Sequence, residues 1–218
     1  MNTESRPAAM IDIELNADML QMVDKALGDL KSESRKVLKK AINETAKQAK
    51  KDLLKKTREE YTVKAAVLNK ATEKHNATLS NLEATIKVKS ASRELLDFKT
   101  RVSKQGVKAQ ILTSSSMKLL QSQKGNRAKA FLTQFQSGHK AIVQRQEGQK
   151  YKTARGQRKR MEKYGPHADM TQIKKLLSVS APKMIGDEKR VLGILRPKIY
   201  DNLMDNIQKE IDKTLSSR

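Results

Sequence analysis

The sequence predicts an α+β fold: an antiparallel sheet of about five or six strands, flanked by a long N-terminal helix and a long C-terminal helix. Two observations lead to this prediction. Apolar residues recur at helical spacing near both ends of the chain, over about residues 18–58 and 182–215. Between these stretches, several short segments alternate apolar and polar residues, as half-buried strands do.

The N-terminal part of this plan begins with a polar leader, residues 1–9, which we expect to be disordered. The segment MIDIEL (10–15) alternates and predicts a strand, after which Asn16 or Asp18 caps the first long helix. The opposite face of that helix is lysine-rich. A solvated face and a surface for nucleic acid or an acidic partner both fit this pattern.

The clearest strand signal is LEATIKVK (82–89), in which alternate residues are apolar. Further strands are predicted at 95–102, 107–112 and 173–179. The segment FLTQFQSGHKAIVQRQEG (131–148) predicts a β-hairpin, with the turn at Ser-Gly-His-Lys. A polar, basic segment, 149–170, follows the hairpin and is predicted to be a long mobile loop.

The last helix is predicted to begin after Ser180, with Pro182 in its first turn, and to kink or break near Pro197. Beyond Pro197 an apolar stripe recurs every four residues: Ile199, Leu203, Ile207, Ile211 and Leu215. This stripe requires a covering surface, which is either the first long helix or a neighbouring subunit.

Charge and composition narrow the classes of function. The 218 residues carry a formal net charge of +22 and include no cysteine, so disulfides and thiolate metal sites are excluded. Such charge is relieved by nucleic acid, by a membrane surface or by acidic proteins. The sequence has no apolar run long enough for a transmembrane helix and no apolar signal segment near its start, so we expect no membrane association and no secretion.

Motifs of catalysis are not apparent in the sequence. His75, His139 and His167 stand apart without metal-ligand spacing, and no glycine-rich phosphate loop or nucleophile motif occurs. The expectation is therefore a protein that is not an enzyme and has no cofactor, no bound metal and no small-molecule substrate.

Three segments in order, SASRELLDFKTRV (90–102), AFLTQFQSGHKAIVQRQEG (130–148) and IKKLLSVSAPKMIGDEKRV (173–191), resemble the phage minor tail protein Z family and its prophage members. The matching positions are Ser92, Arg93, Leu95, Phe98, Ala130, Phe131, Gly138, His139, Arg145, Ser180, Pro182 and Met184. The turn SVSAP departs from the Gly-Pro-Ser-like turn of that family, and the basic segment 149–170 is longer.

The resemblance implies a single tail-completion-like domain over residues 10–218. It implies a structural virion protein, made in the host cytoplasm, at the head-proximal end of a long phage tail. Such a protein forms a homo-oligomeric ring, joins other tail and neck proteins, and is a candidate to contact the genome DNA. Two alternatives are a sequence-independent nucleic-acid-binding protein, which the charge favours, and a small nuclease, which the missing carboxylate or histidine cluster disfavours.

Two sets of site residues follow from these hypotheses. The expected subunit or partner interface comprises Phe131, Phe135, Gly138, His139, Arg145, Ile199, Leu203, Ile207 and Ile211. The expected contact with phosphate or with an acidic partner comprises Lys152, Arg155, Arg158, Lys159 and Arg160.

Overall fold

The structure is a computed structural model that describes residues 8–15, 17–121, 129–151 and 154–217. Within them the helices are α1 (Ala17–Leu27), α2 (Ser34–Glu60), α3 (Ala65–Ala71), α4 (Ala154–Tyr164), α5 (Ala181–Ile185) and α6 (Leu192–Ser216). The strands are β1 (Ala8–Glu14), β2 (Thr72–His75), β3 (Glu83–Lys89), β4 (Arg93–Glu94), β5 (Lys99–Ser103), β6 (Gly106–Gln110), β7 (Lys118–Leu119), β8 (Phe131–Gln134), β9 (Lys140–Lys150), β10 (Thr171–Lys175) and β11 (Leu177–Ser178). The α+β class is confirmed.

The chain divides into two compact units. The helical unit comprises Met1–Ser92 and Val179–Arg218, and the strand unit comprises Arg93–Ser178. The leader prediction for residues 1–7 lies outside the described residues, whereas Ala8 and Ala9 already belong to β1.

The helical unit is built on the antiparallel packing of α2 against α6. Three polar contacts fix the register: Asn206 donates to the Thr45 hydroxyl at 3.0 Å, Lys198 pairs with Asp52 at 2.8 Å, and Lys40 lies 3.9 Å from Glu210. Along this contact α2 buries most of its apolar residues, and α6 buries Leu203, Ile207 and Ile211, whereas Ile199 is half-buried and Leu215 is 43% exposed. The prediction of two long helices is therefore confirmed, and α2 covers the stripe of α6.

The first long helical stretch is interrupted near Gly28. There φ is +53°, and residues Gly28–Glu33 form a 3₁₀ helix between α1 and α2. A positive φ is compatible with glycine and not with a continuing α-helix. The proposed cap Asn16 lies outside the described residues.

A three-stranded antiparallel sheet, in the order β1-β3-β2, packs on α2. Ala84, Ile86 and Val88 on β3 are fully buried, while Lys89 is exposed. This confirms the orientation that the alternation of LEATIKVK predicts.

A tight turn separates α5 from α6. Asp187 holds it: its Oδ1 accepts the backbone N–H groups of Lys189 and Arg190 at 3.0 Å, and its Oδ2 accepts the Tyr61 hydroxyl at 2.7 Å. Burial raises the pKa of Tyr61 to about 12, and the hydrogen bond to Asp187 adds to this rise.

The prediction offered a kink or a break of the C-terminal helix near Pro197, and the structure contradicts the break. Ser180 does precede α5, with Pro182 in the first turn, but the break occurs over 186–191 and α6 continues through Pro197. Proline removes one backbone donor, and packing along α6 outweighs that loss.

The strand unit holds three small sheets, in the orders β10-β9-β8, β5-β6-β7 and β11-β4. Its core comprises Leu95, Val107, Ala109, Ala130 and Ile142. The prediction of one sheet with five or six strands is thus wrong, although all the pairing is antiparallel. Strands of two residues, such as β4 and β11, are too short to extend a common ladder.

The basic segment 149–170 also differs from its prediction, because its centre forms the helix α4. The sequence of α4, ARGQRKRMEKY, is rich in good helix formers. Gly165 follows with φ of +84° and donates its N–H to the Met161 carbonyl, which ends the helix as a C-terminal glycine does.

Candidate functional site

The hairpin β8–β9 is the centre of the candidate site. Its turn closes through two backbone hydrogen bonds, from Phe135 N–H to the His139 carbonyl at 2.8 Å and from Gly138 N–H to the Phe135 carbonyl at 2.9 Å. Gly138 has φ of +78°, while a Cβ atom there would meet nothing within 4 Å. Backbone conformation, and not space, therefore favours glycine at this turn.

His139 and Lys175 both contact the carboxylate of Glu94. His139 Nε2 lies 2.9 and 3.0 Å from its two oxygens, and Lys175 Nζ donates to Oε1 at 3.1 Å. Phe135 extends this contact: its ring stacks on His139 at 6.2 Å, and Lys175 lies 5.5 Å from its centre. His139 is thus fixed by hydrogen bonds within the chain.

The Glu94 contact makes a prediction about pH. Burial acts to raise the pKa of Glu94, but the hydrogen bonds from Lys175 and His139 outweigh it and lower the pKa from 4.5. A carboxylate whose pKa is lower in the folded than in the unfolded state stabilises the protein at pH values above its unfolded-state pKa. This stabilisation is lost as the pH falls through the folded-state pKa. We expect Glu94→Gln to lower the free energy of unfolding by about 1 kcal/mol near neutral pH.

Urea denaturation at a series of pH values measures this effect. The difference between the wild type and Glu94→Gln should shrink below pH 4.5, the ordinary carboxyl value. Glu162→Gln is the control, because its carboxylate is 63% exposed and lies 3.6 Å from Arg158. A difference that persists unchanged into acid would show that the Glu94 charge is not its cause.

Arg145 joins the hairpin to the segment before β10. Its guanidinium lies 5.4 Å from the centre of the Phe131 ring, and its Nη1 is 2.8 Å from Oδ2 of Asp169. Nη1 has no partner with hydrogen-bond geometry, so the contact with Asp169 is an ion pair. Hydrogen bonds from Thr171, with smaller contributions from Arg145 and Arg160, lower the pKa of Asp169.

The helix α4 lies beside this hairpin and carries four of the five predicted basic contacts, since Lys152 is outside the described residues. Arg155 and Arg158 are exposed, and Arg158 faces Glu162. Lys159 and Arg160, with Lys163, line a groove of about 380 Å³. We call this groove the aromatic groove and define it by Phe135, Tyr151, Lys159, Arg160, Lys163 and Tyr164.

The apolar stripe of α6 lies in the helical unit and is mostly part of its core. Leu203, Ile207 and Ile211 are buried, so their surface is already covered within the chain, while Ile199 is half-buried. Of the stripe's proposed interface residues, Ile199 alone thus keeps substantial exposed surface.

Sequence reasoning missed Glu94, Asp169, Tyr151 and Tyr164. Glu94 is 45 residues from His139 and 81 from Lys175, so no local spacing indicates that they meet. Arg160 and Tyr164 are four residues apart in a sequence that favours a helix, so their side chains are expected to be neighbours on one helix face. This spacing is the one local signal that could have indicated the groove.

Within the described residues there is no group of three or more histidine and carboxylate side chains placed to hold a metal ion. Nor does any helix in that part of the chain combine the length and apolar character needed to span a bilayer. Comparison of the chain with protein-family models, with curated proteins and with solved structures found no match.

Proposed function

We propose that this chain is a structural phage virion protein, a minor tail or tail-completion component at the head-proximal end of a long tail. It acts by forming an oligomer, as a ring, and by joining other tail and neck proteins. The observation that carries the proposal is the order along the chain of the three segments 90–102, 130–148 and 173–191, which resemble the minor tail protein Z family.

The contacts of the resembling positions support this proposal. Gly138, His139 and Arg145 form a turn and two carboxylate contacts that hold the hairpin in one conformation. A preorganised surface loses less conformational entropy when it is buried against a neighbouring subunit. Rigid hairpin geometry therefore suits a protein whose mechanism is surface complementarity.

Exposed apolar side chains supply further contact surface. On α6, Ile194 and Tyr200 are each 53% exposed, and Tyr200 adjoins the half-buried Ile199. Large apolar residues at a surface are favoured where another protein covers them. We propose that Ile199 and Tyr200 contribute to the subunit interface, which in a ring is heterologous.

Light scattering of the purified full chain, at low and high salt and with and without short duplex DNA, tests the proposal. We expect an oligomer whose mass is stable to salt and independent of DNA, and electron micrographs should show closed rings. Tyr200→Glu should dissociate it, whereas Leu79→Glu, which adds the same charge at an exposed loop position, should not. A protein that stays monomeric over the accessible concentration range contradicts the ring.

A second candidate function is sequence-independent nucleic-acid binding, which is favoured by a basic hollow of about 460 Å³ between α2, α6 and the segment around β2. Six lysines line it against two glutamates: Lys39, Lys40, Lys47, Lys74, Lys209 and Lys213, with Glu44 and Glu210. In the same light-scattering experiment, a monomer that coats DNA at low salt and releases it at high salt favours this function.

A further inference from the structure

The aromatic groove combines aromatic rings with cations and no acid. Phe135, Tyr151 and Tyr164 supply three rings, while the three cations all come from α4. Among the described residues that line the groove there is no aspartate or glutamate. The groove is therefore a positive surface with flat apolar faces, and it is complementary to a ligand that is both anionic and planar.

Arg160 is the fixed centre of this arrangement. Its Nε donates to the Asp169 carbonyl at 2.7 Å, and its guanidinium lies 5.5 Å from the Tyr151 ring centre and 5.0 Å from that of Tyr164. Lys163 lies 5.2 Å from the Tyr164 ring centre, and Lys159 is exposed with no ion-pair partner in the described ranges. Arg160 and Lys163 are thus placed beside the rings before any ligand arrives, and Lys159 lines the same groove.

A second hollow, of about 290 Å³, continues the groove along the sheet. It shares Thr133, Arg160, Tyr164 and Ile173 with the groove. It adds the Phe131 ring, Arg145, His167, Ala168 and Asp169, whose carboxylate is paired with Arg145. Phe131, Thr133 and Phe135 are spaced two residues apart, which in an extended chain directs side chains to one side. The two hollows thus form a continuous track, which suits a linear polymer better than a single small molecule.

We propose that the aromatic groove binds a segment of single-stranded nucleic acid, with bases stacked on Tyr164 and Phe135 and phosphates beside Lys159, Arg160 and Lys163. Base stacking on aromatic rings beside a basic wall is how proteins hold single strands without reading their sequence. A duplex is a poorer ligand, because its bases are already stacked and paired. An acidic peptide would complement the positive charge of the groove, but its carboxylate side chains would supply no planar rings to stack on Tyr164 and Phe135.

Every residue that forms the groove lies in the strand unit of one chain, so the site needs no second copy. Phe135 also belongs to the hairpin proposed above as a subunit contact, so binding should be measured at protein concentrations below and above those that give the oligomer. The test measures fluorescence anisotropy of a labelled oligothymidine and of a hairpin duplex of equal length with the full chain over a range of salt. We expect tighter binding of the single strand. Tyr164→Ala should weaken it about tenfold, with Tyr164→Phe close to wild type.

A matched pair of double variants on α4 tests the charge. Lys159→Gln with Lys163→Gln should weaken binding at least about tenfold and reduce the salt slope by about 1.4, as expected for two phosphate contacts on a single strand. Arg155→Gln with Arg158→Gln removes the same charge from the same helix outside the groove. This control should weaken oligonucleotide binding by no more than about threefold, because exposed charges away from the contact are screened.

Four outcomes would overturn the proposal. They are the absence of oligonucleotide binding, equal losses in the two double variants, affinity for the duplex equal to that for the single strand, and insensitivity to Tyr164→Ala. Competition by oligoglutamate tests whether the groove binds acidic proteins rather than single-stranded nucleic acid. If oligoglutamate displaces the oligothymidine and its own binding also depends on Tyr164, the groove is a site for acidic proteins instead.

Discussion

Ile207→Ala should lower the free energy of unfolding by about 3 kcal/mol. Ile207 is fully buried on α6, where that helix packs against α2. Removing its side chain loses the transfer free energy of the deleted carbons and leaves a cavity that two regular helices cannot close. Urea denaturation monitored by circular dichroism should show a lower midpoint, with an unchanged dependence of the free energy of unfolding on urea concentration.

The matched control is Ile194→Ala, which deletes the same atoms from the same helix at a position that is 53% exposed. Its cost to the monomer should be within about 0.5 kcal/mol, measured at protein concentrations low enough to dissociate any oligomer in which Ile194 is a contact. Equal losses at the two positions would contradict the packing of α6 on α2. Since oligomer stability depends on concentration, both variants should be compared at several protein concentrations, and the Ile207 effect should not vary with concentration.

The stripe that includes Ile207 shows what the spacing of apolar residues can and cannot predict. Spacing of apolar residues correctly predicts the buried faces of α6 and of β3, because burial of one face imposes that spacing. It does not say what covers the stripe, so α2 and a neighbouring subunit remained alternatives. Periodicity likewise predicts strands without naming their partners, and the single predicted sheet is in fact several small ones.

The candidate site shows the same limit for polar residues. The hairpin and its Gly138 turn follow from local sequence, because a two-residue alternation and a positive φ are local properties. The carboxylates that meet His139 and Arg145 come from β4 and from the segment before β10, so only the folded chain brings them together. The helix α4 was missed because it has little apolar periodicity, although its residues favour a helix.

Gly193→Ala should destabilise the helical unit by about 2–3 kcal/mol, although the same change in an ordinary helix stabilises by about 0.5–1 kcal/mol. Gly193 lies in the first turn of α6, directly after the turn that Asp187 holds. A Cβ atom at Gly193 would lie 2.1 Å from the Glu188 carbonyl oxygen and 3.0 Å from its carbonyl carbon. These are backbone atoms, so a change of side-chain rotamer cannot relieve the contact.

The turn that would have to move is held from several directions. The Val191 and Leu192 N–H groups donate to the Asp187 carbonyl at 2.8 and 2.9 Å, and the Asp187 side chain accepts two further N–H groups and the Tyr61 hydroxyl. Relief of the clash therefore disrupts part of this network, which is the physical source of the expected cost.

A double-mutant cycle with Asp187→Ala measures this coupling by urea denaturation. Asp187→Ala alone should destabilise, because it removes the acceptor of the Tyr61 hydroxyl and of two backbone N–H groups. In the Asp187→Ala background the turn is free to shift, so the additional loss of unfolding free energy caused by Gly193→Ala should be smaller by at least about 1 kcal/mol. If Gly193→Ala stabilises the wild type, helix propensity outweighs the contact and the turn is not rigid. If the two costs simply add, the clash is relieved by a movement that does not involve Asp187.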